Sequence, residues 1–189
     1  MSSDLDVSDS PPETDYQDQL ASTVGTIAAR MKGAISSGDL AELRRVDPAE
    51  PVTPALWKLL MDEELIPSRW RPGRSDSDAR DTSEQRWACL FMGMAHCVGL
   101  HDLKVPLGAA LADAGWSEVR FTRLLRARDK RLFNEVRSVA NYLSSKEQRA
   151  DWCGVHGLLF SQDDDDWAER HRRNVARSYY RVKHTQESQ

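Results

Sequence analysis

No segment of this 189-residue chain alternates apolar and polar side chains over a strand's length, and β-branched residues are sparse. Apolar residues instead recur at three- and four-residue steps, the spacing that lines one face of a helix. Leu20, Val24, Ile27 and Met31 do so first. Leu56, Leu59 and Leu60 follow behind Pro54, whose fixed φ and missing N–H suit a first helical turn. Trp87, Leu90, Phe91, Met94 and Val98 make a third such face. The pattern predicts an all-α chain, a compact bundle of two packed helical lobes. There is no internal repeat and no sustained heptad.

Capping and breaking residues divide the pattern. Gly33 or Gly38 closes the first helix, and Asp39 is placed to cap a short turn through Arg45 that Pro48 and Pro51 end. Ile66-Pro67 stops the helix that Pro54 opens, and residues 67–83 read as an exposed loop. Thr82 and Gln85 form a possible capping box for the next helix, which Gly99 ends. Pro106 and Gly115 bracket a short helix. Ser117 caps its successor, and Asp129 caps a continuation through Leu143. Asp166 or a neighbour caps the last helix, Trp167 to about Val182. The expected organisation is a disordered acidic tail over 1–19, an N-terminal lobe over 20–105, a C-terminal lobe with a basic face over 106–184, and a tail over 185–189.

Charge is distributed unevenly. The net charge is −4, yet residues 1–19 hold six acids and no base, leaving 26 basic and 24 acidic residues in the body. Arg120 to Arg137 carries seven basic residues against Asp129 and Glu135. Arg170 to Lys183 carries six basic residues and no acid. Two concentrated basic segments in a mildly acidic protein point to an anionic partner rather than to solvated faces alone.

In the first segment, Arg123, Arg126, Lys130 and Arg137 fall within about 60° of one another if the helix is continuous. Phe121, Leu125, Leu132, Val136 and Val139 occupy the sector suited to a core. A break at Asp129 leaves Arg120, Arg123 and Arg126 together. The fixed donor fork of a guanidinium matches phosphate oxygens in pairs. The second segment contributes Arg170, Arg172, Arg173, Arg177, Arg181 and Lys183. The adjoining Tyr179 and Tyr180 read as half-buried packing.

Other chemistries find little support. Consecutive acids such as Asp163 to Asp166 before a helix suit a solvated first turn better than a metal site. Cys89, His96, Cys97 and His101 lack paired zinc spacing, and the two thiols sit in an apolar helix. Cys153 and His156 have no orienting group, and no Gly-rich phosphate loop is present. No catalytic residue, metal or cofactor is expected, and the chain does not read as an enzyme. The longest mainly apolar stretch, Ala88 to Leu100, is too short to span a bilayer. Residues 1–19 lack a secretory signal's basic and apolar regions. Three scattered cysteines form no disulfide framework, so a reducing cytoplasm is expected.

One stretch resembles a known family. Leu107-Gly108, Leu111-Ala112 and Gly115, then Ser117-Glu118, Arg120-Phe121 and Arg123-Leu124-Leu125-Arg126-Ala127, are similar to the signature of the CasB family, the small subunit of the type I-E CRISPR surveillance complex Cascade. Leu43-Arg44-Arg45 resembles the family's N-terminal arginine pair. Asp151-Trp152 with Arg177-Ser178-Tyr179-Tyr180-Arg181 resembles its C-terminal region. The resemblance implies an all-helical, two-lobed, noncatalytic subunit that sits beside other Cascade subunits with their guide RNA, paired with a second copy of itself. It also implies contact with target and displaced DNA strands as the R-loop opens, a near-balanced exchange that nonspecific backbone contacts can tip. The phosphate-facing residues so implied are Arg45, Arg120, Arg123, Arg126, Arg137, Arg170 and Arg172, and the candidate set adds Arg44, Lys130, Arg173 and Arg177. The acidic tail and the aspartate run depart from the family pattern. The rival reading is a helical transcription regulator that reads duplex DNA through residues 117–143.

Overall fold

Residues 87–95 are apolar on every side, and every one of them is buried. A helix apolar around its whole circumference has to run through the middle of a fold, with neighbours on all sides. The structure, a computed structural model, describes residues 13–65 and 77–188, with side chains described for 18–65 and 82–188. Among the described residues there are nine helices and no strand. They are α1 (Glu13–Gly33), α2 (Ser37–Arg45), α3 (Pro54–Asp62), α4 (Ser77–His96), α5 (Leu107–Asp113), α6 (Glu118–Arg126), α7 (Asp129–Ser145), α8 (Cys153–Phe160) and α9 (Asp165–Glu187).

The central helix is α4, in contact with α1, α2, α3, α7 and α8. One contiguous hydrophobic cluster extends from Val24 to Tyr179 and crosses the 105/106 line, because α4 packs on α7 and α8. The second strong pairing is α5 on α9. A Cβ at Gly108 would stand 2.0 Å from the Val175 carbonyl oxygen, so the close crossing needs a residue without one. Gly115 follows at φ +80° and turns the chain into α6, in the left-handed region that glycine enters without strain.

Several boundaries differ from the sequence reading. The first helix begins at Glu13, inside the expected acidic tail, and the last continues to Glu187. Residues 1–12 of the tail, and residues 66–76 with the Ile66-Pro67 stop, lie outside the described residues. Ser36, not Asp39, caps α2: its Oγ accepts from the Asp39 N–H at 3.0 Å. A serine one residue before a helix competes well for that role, and Asp39 then serves the first turn. Thr82 and Gln85 form no capping box, since α4 already starts at Ser77 and both lie inside it. Asp164 caps α9 by accepting from Trp167 N–H at 2.9 Å. The helix α8 had no sequence prediction at all, because Cys153–Phe160 is short and has apolar residues on both sides.

Candidate nucleic-acid interface

The helix α6 is only nine residues long, so its orientation depends on what it buries. Phe121 and Leu124 are buried, and the Phe121 ring stacks on Tyr179 of α9 at 3.8 Å between centroids. Tyr179 is fully buried and donates its hydroxyl to the Trp116 carbonyl at 2.6 Å. Tyr180 is 44% exposed and donates to Glu118 at 2.7 Å, so only the first tyrosine of the pair serves the core. Anchored this way, α6 turns Arg120, Arg123 and Arg126 outward. All three are exposed.

Val119, Thr122, Arg123, Arg126 and Glu118 line a shallow groove along this face. The Arg120 guanidinium lies 5.3 Å from the Trp116 ring centroid, a cation–π distance that steadies the side chain without neutralising it. Arg123 donates from Nε to Glu135 of α7 at 2.6 Å while remaining 59% exposed. Arg126 has no ion pair or side-chain hydrogen bond among the described residues.

The chain breaks at Ala127-Arg128, with Asp129 at φ +47°, and the Asp129 N–H donates to Gln162 at 2.7 Å. The ridge that a continuous helix would have made is therefore divided. Lys130 is exposed at the start of α7, but Arg137 turns inward. Its Nη2 donates to the Val46 carbonyl at 2.9 Å, just past the end of α2. Arg44 turns inward too, donating from Nε to the Ala95 carbonyl at 2.7 Å near the end of α4. Both satisfy carbonyls that a helix end leaves without partners, and a basic side chain there also suits the dipole. Arg45, one position on, is exposed.

On α9, Arg170, Arg173 and Arg177 are exposed and Arg172 is half-buried. Arg173 pairs with Glu169 one turn earlier. Burial pulls the Arg172 ionisation below the usual guanidinium value, and the charge of Arg128 adds to that while Asp165 and Glu169 oppose it. Arg128 thus carries the positive field of the α6–α7 corner onto α9. The sequence reading left it outside the candidate set, although its place in the first basic segment was a usable signal.

The aspartate run is accounted for residue by residue. Asp163 forms a two-pronged pair with Arg86, at 2.6 and 2.8 Å, and that arginine's side chain is only 8% exposed. The Arg86 hydrogen bonds hold the Asp163 carboxyl below its ordinary ionisation value. Asp164 is the cap, and Asp165 and Asp166 sit in the first turn of α9, where the dipole favours acids. Among the described residues, no group of three His, Cys, Asp or Glu side chains could hold a metal ion. Cys97 is buried and donates to the Ala140 carbonyl, and burial pushes its thiol up to about 12. Burial raises Cys89 and Cys153 as well. Protonated thiols that are buried, as Cys89 and Cys97 are, or half-buried, as Cys153 is, pack rather than react. No helix among the described residues is long and apolar enough to cross a membrane.

Comparison with known proteins gives the fold its relatives. The family model of the CRISPR-associated protein Cse2 matches residues 39–180, from most of α2 through most of α9. The crystal structure of CasB from Thermobifida fusca aligns with a TM-score of 0.63 at 17% identity, over 86% of this chain and 96% of that one. A chain of E. coli Cascade bound to a PAM-containing double-stranded DNA target aligns with a TM-score of 0.61 at 19% identity, over 85% and 95%. At these identities the two structures show a shared fold. No curated protein matches the chain.

Proposed function

The chain belongs to the CasB/Cse2 family of type I-E Cascade, and we propose that it acts as a noncatalytic nucleic-acid-binding subunit of that complex in antiviral defence. Its role is to steady the opened target DNA through contacts to the phosphate backbone. The observation that carries this reading is the outward face of α6, where Arg120, Arg123 and Arg126 are exposed together while Phe121 and Leu124 are buried. Lys130, Arg45 and the α9 arginines Arg170, Arg172, Arg173 and Arg177 extend the contact. Arg44 and Arg137 support it from inside by holding helix ends. The partners are the other Cascade subunits with their guide RNA, the target and displaced strands, and a second copy of this chain, in the cytoplasm.

Arginine and lysine contacts to phosphate are strong, sequence-independent and salt-sensitive. The α6 face offers few amide or hydroxyl groups to read base edges, which disfavours the regulator reading. The test is binding of the isolated chain to single-stranded DNA over a range of salt. Neutralising about six phosphates gives a slope of log affinity on log salt near −4. Charge reversal at Arg123 and Arg126 should flatten that slope. An unchanged slope removes those residues from the interface, and a tight preference for one duplex sequence replaces the reading with a regulator.

A further inference from the structure

A second concave site lies where α1, α8 and the start of α9 meet. It has a volume of about 400 Å3, and no lysine or arginine is among the described residues that line it. Its walls are largely rings and aliphatic carbon. His156 is stacked on Phe160 at 4.2 Å, Trp167 stands 5.2 Å from His171, and Leu103 closes the rim at 51% exposed. Burial keeps the His156 imidazole neutral, so it contributes a ring and not a cation.

Carboxylates, a hydroxyl and two imidazoles supply the polar groups. Asp18 from α1 and Asp151 before α8 bring two carboxylates to the site. Asp151 accepts from the Cys153 N–H at 2.9 Å through Oδ1. Ser161 also lines the cavity, and its buried Oγ has no hydrogen-bond partner among the described residues.

We propose that this acid-rimmed aromatic pocket receives an arginine side chain from a neighbouring polypeptide. A ligand phosphate or carboxylate would face Asp18 and Asp151 and be repelled. A purely apolar side chain would cover the carboxylates, which costs free energy for charged groups taken out of water, and would bring Ser161 no partner. An arginine answers all three features. Its stem lies along Leu103 and the rings, its planar guanidinium stacks on an aromatic face, and its donors reach the carboxylates and the serine. The chain would then present two complementary faces, a basic one to nucleic acid and an acidic aromatic one to protein. That the polypeptide is a neighbouring subunit rests on the Cascade reading, whereas the pocket's preference for arginine does not.

The test uses the purified full chain and N-acetyl-arginine amide at millimolar concentration, read by the NMR shift of the assigned Trp167 indole N–H. N-acetyl-glutamate amide is the control. Saturable shifts with the arginine probe, absent with the glutamate probe, are expected. Asp18→Lys, which changes an exposed helical position, should weaken the arginine probe by about fivefold or more. Ala21→Trp, which fills the cavity from the α1 side, should abolish the shifts. No shift with the arginine probe, or equal shifts with both probes, overturns the proposal. So does an Asp18→Lys chain that binds the probe as the parent does. In a complex reconstituted from purified subunits, Asp18→Lys should be retained less well than the parent, with DNA binding by the free chain not reduced. If the parent itself fails to join the complex, the Cascade reading falls, and the probe experiment still decides the pocket.

Discussion

Arg137 of α7 donates from Nη2 to the Val46 carbonyl at 2.9 Å, so a residue of the second half of the chain holds the end of a helix in the first. Its Nη1 reaches the Arg44 carbonyl of the same helix end. The physical role is that of a C-terminal cap supplied from a distance. Arg137→Met keeps the stem and removes the donors, and should cost about 2 kcal/mol of folding stability, the range for hydrogen bonds from a charged group. Arg126→Ala, at an exposed position, should stay within about 0.5 kcal/mol. Denaturant unfolding measures both. Nucleic-acid affinity should move the other way, falling for Arg126→Ala and holding for Arg137→Met at temperatures where the variant is folded. Equal loss of affinity in the two would return Arg137 to the interface.

The Asp163–Arg86 pair makes a prediction within the aspartate run. Arg86 is buried and Asp163 is its hydrogen-bonded counterion, so Asp163→Ala leaves a buried guanidinium short of partners. Because Asp163 is itself largely exposed and water can take its place, the cost should be about 1–3 kcal/mol and not the full penalty of a buried pair. Asp165→Ala and Asp166→Ala should each change stability by less than about 1 kcal/mol, the scale of a helix-dipole contact. Thermal unfolding of the three variants with and without a divalent cation distinguishes this from a metal site, which would show cation-dependent stability lost in every variant.

Acid should destabilise the chain before its carboxylates titrate. An unfolded histidine takes its proton near pH 6.5, whereas burial holds the folded His156 down to about 3. Between those values the unfolded chain binds more protons, so stability falls as the pH falls, by at most about 1.4 kcal/mol per pH unit for this one group. His96 shifts in the same direction through burial. Asp163 adds its own loss only as the pH drops below the ordinary carboxylate value, through its depressed folded value. Replacing His156 by Phe should flatten the stability profile between pH 6.5 and 4 while leaving the fall below pH 4. A profile of unchanged slope would place the titrating group elsewhere.

The helices that the sequence made legible are those with one apolar face and a sharp boundary: α3 behind Pro54, and α5 between Pro106 and Gly115. The helix α4 was read as one-sided because a face at helical spacing is easy to find within a run that is apolar throughout. Only the neighbours on its other sides show that it is central. The outward triad of α6 was legible because arginines at three-residue steps share a face opposite Phe121, although the sequence reading assigns Leu125 to the core where the structure buries Leu124. Arg44 and Arg137 were not separable from the triad, since a capping guanidinium and a phosphate-binding one are the same residue type. What distinguishes them is a carbonyl more than fifty positions away in sequence. The cavity at α1, α8 and α9 draws its lining from equally distant segments, and no local pattern announces it.

Glu135 is the acid set against the triad, and removing its charge provides the sharpest test of that face. It accepts from Arg123 Nε at 2.6 Å, is only 12% exposed, and its Oε2 is buried without a hydrogen-bond partner among the described residues. A glutamine there keeps an oxygen for Arg123, and its amide occupies the place of the orphaned oxygen. Stability should therefore change by less than about 1 kcal/mol, since the arginine partner is mostly in water. The positive potential of the face rises by one charge beside Arg120, Arg123 and Arg126. Glu135→Gln should tighten single-stranded DNA binding by about two- to fivefold at low salt, with the gain fading as salt screens it. Weaker binding in the variant would show instead that Glu135 positions Arg123 for its contact, and that the geometry of the pair outweighs the charge it removes.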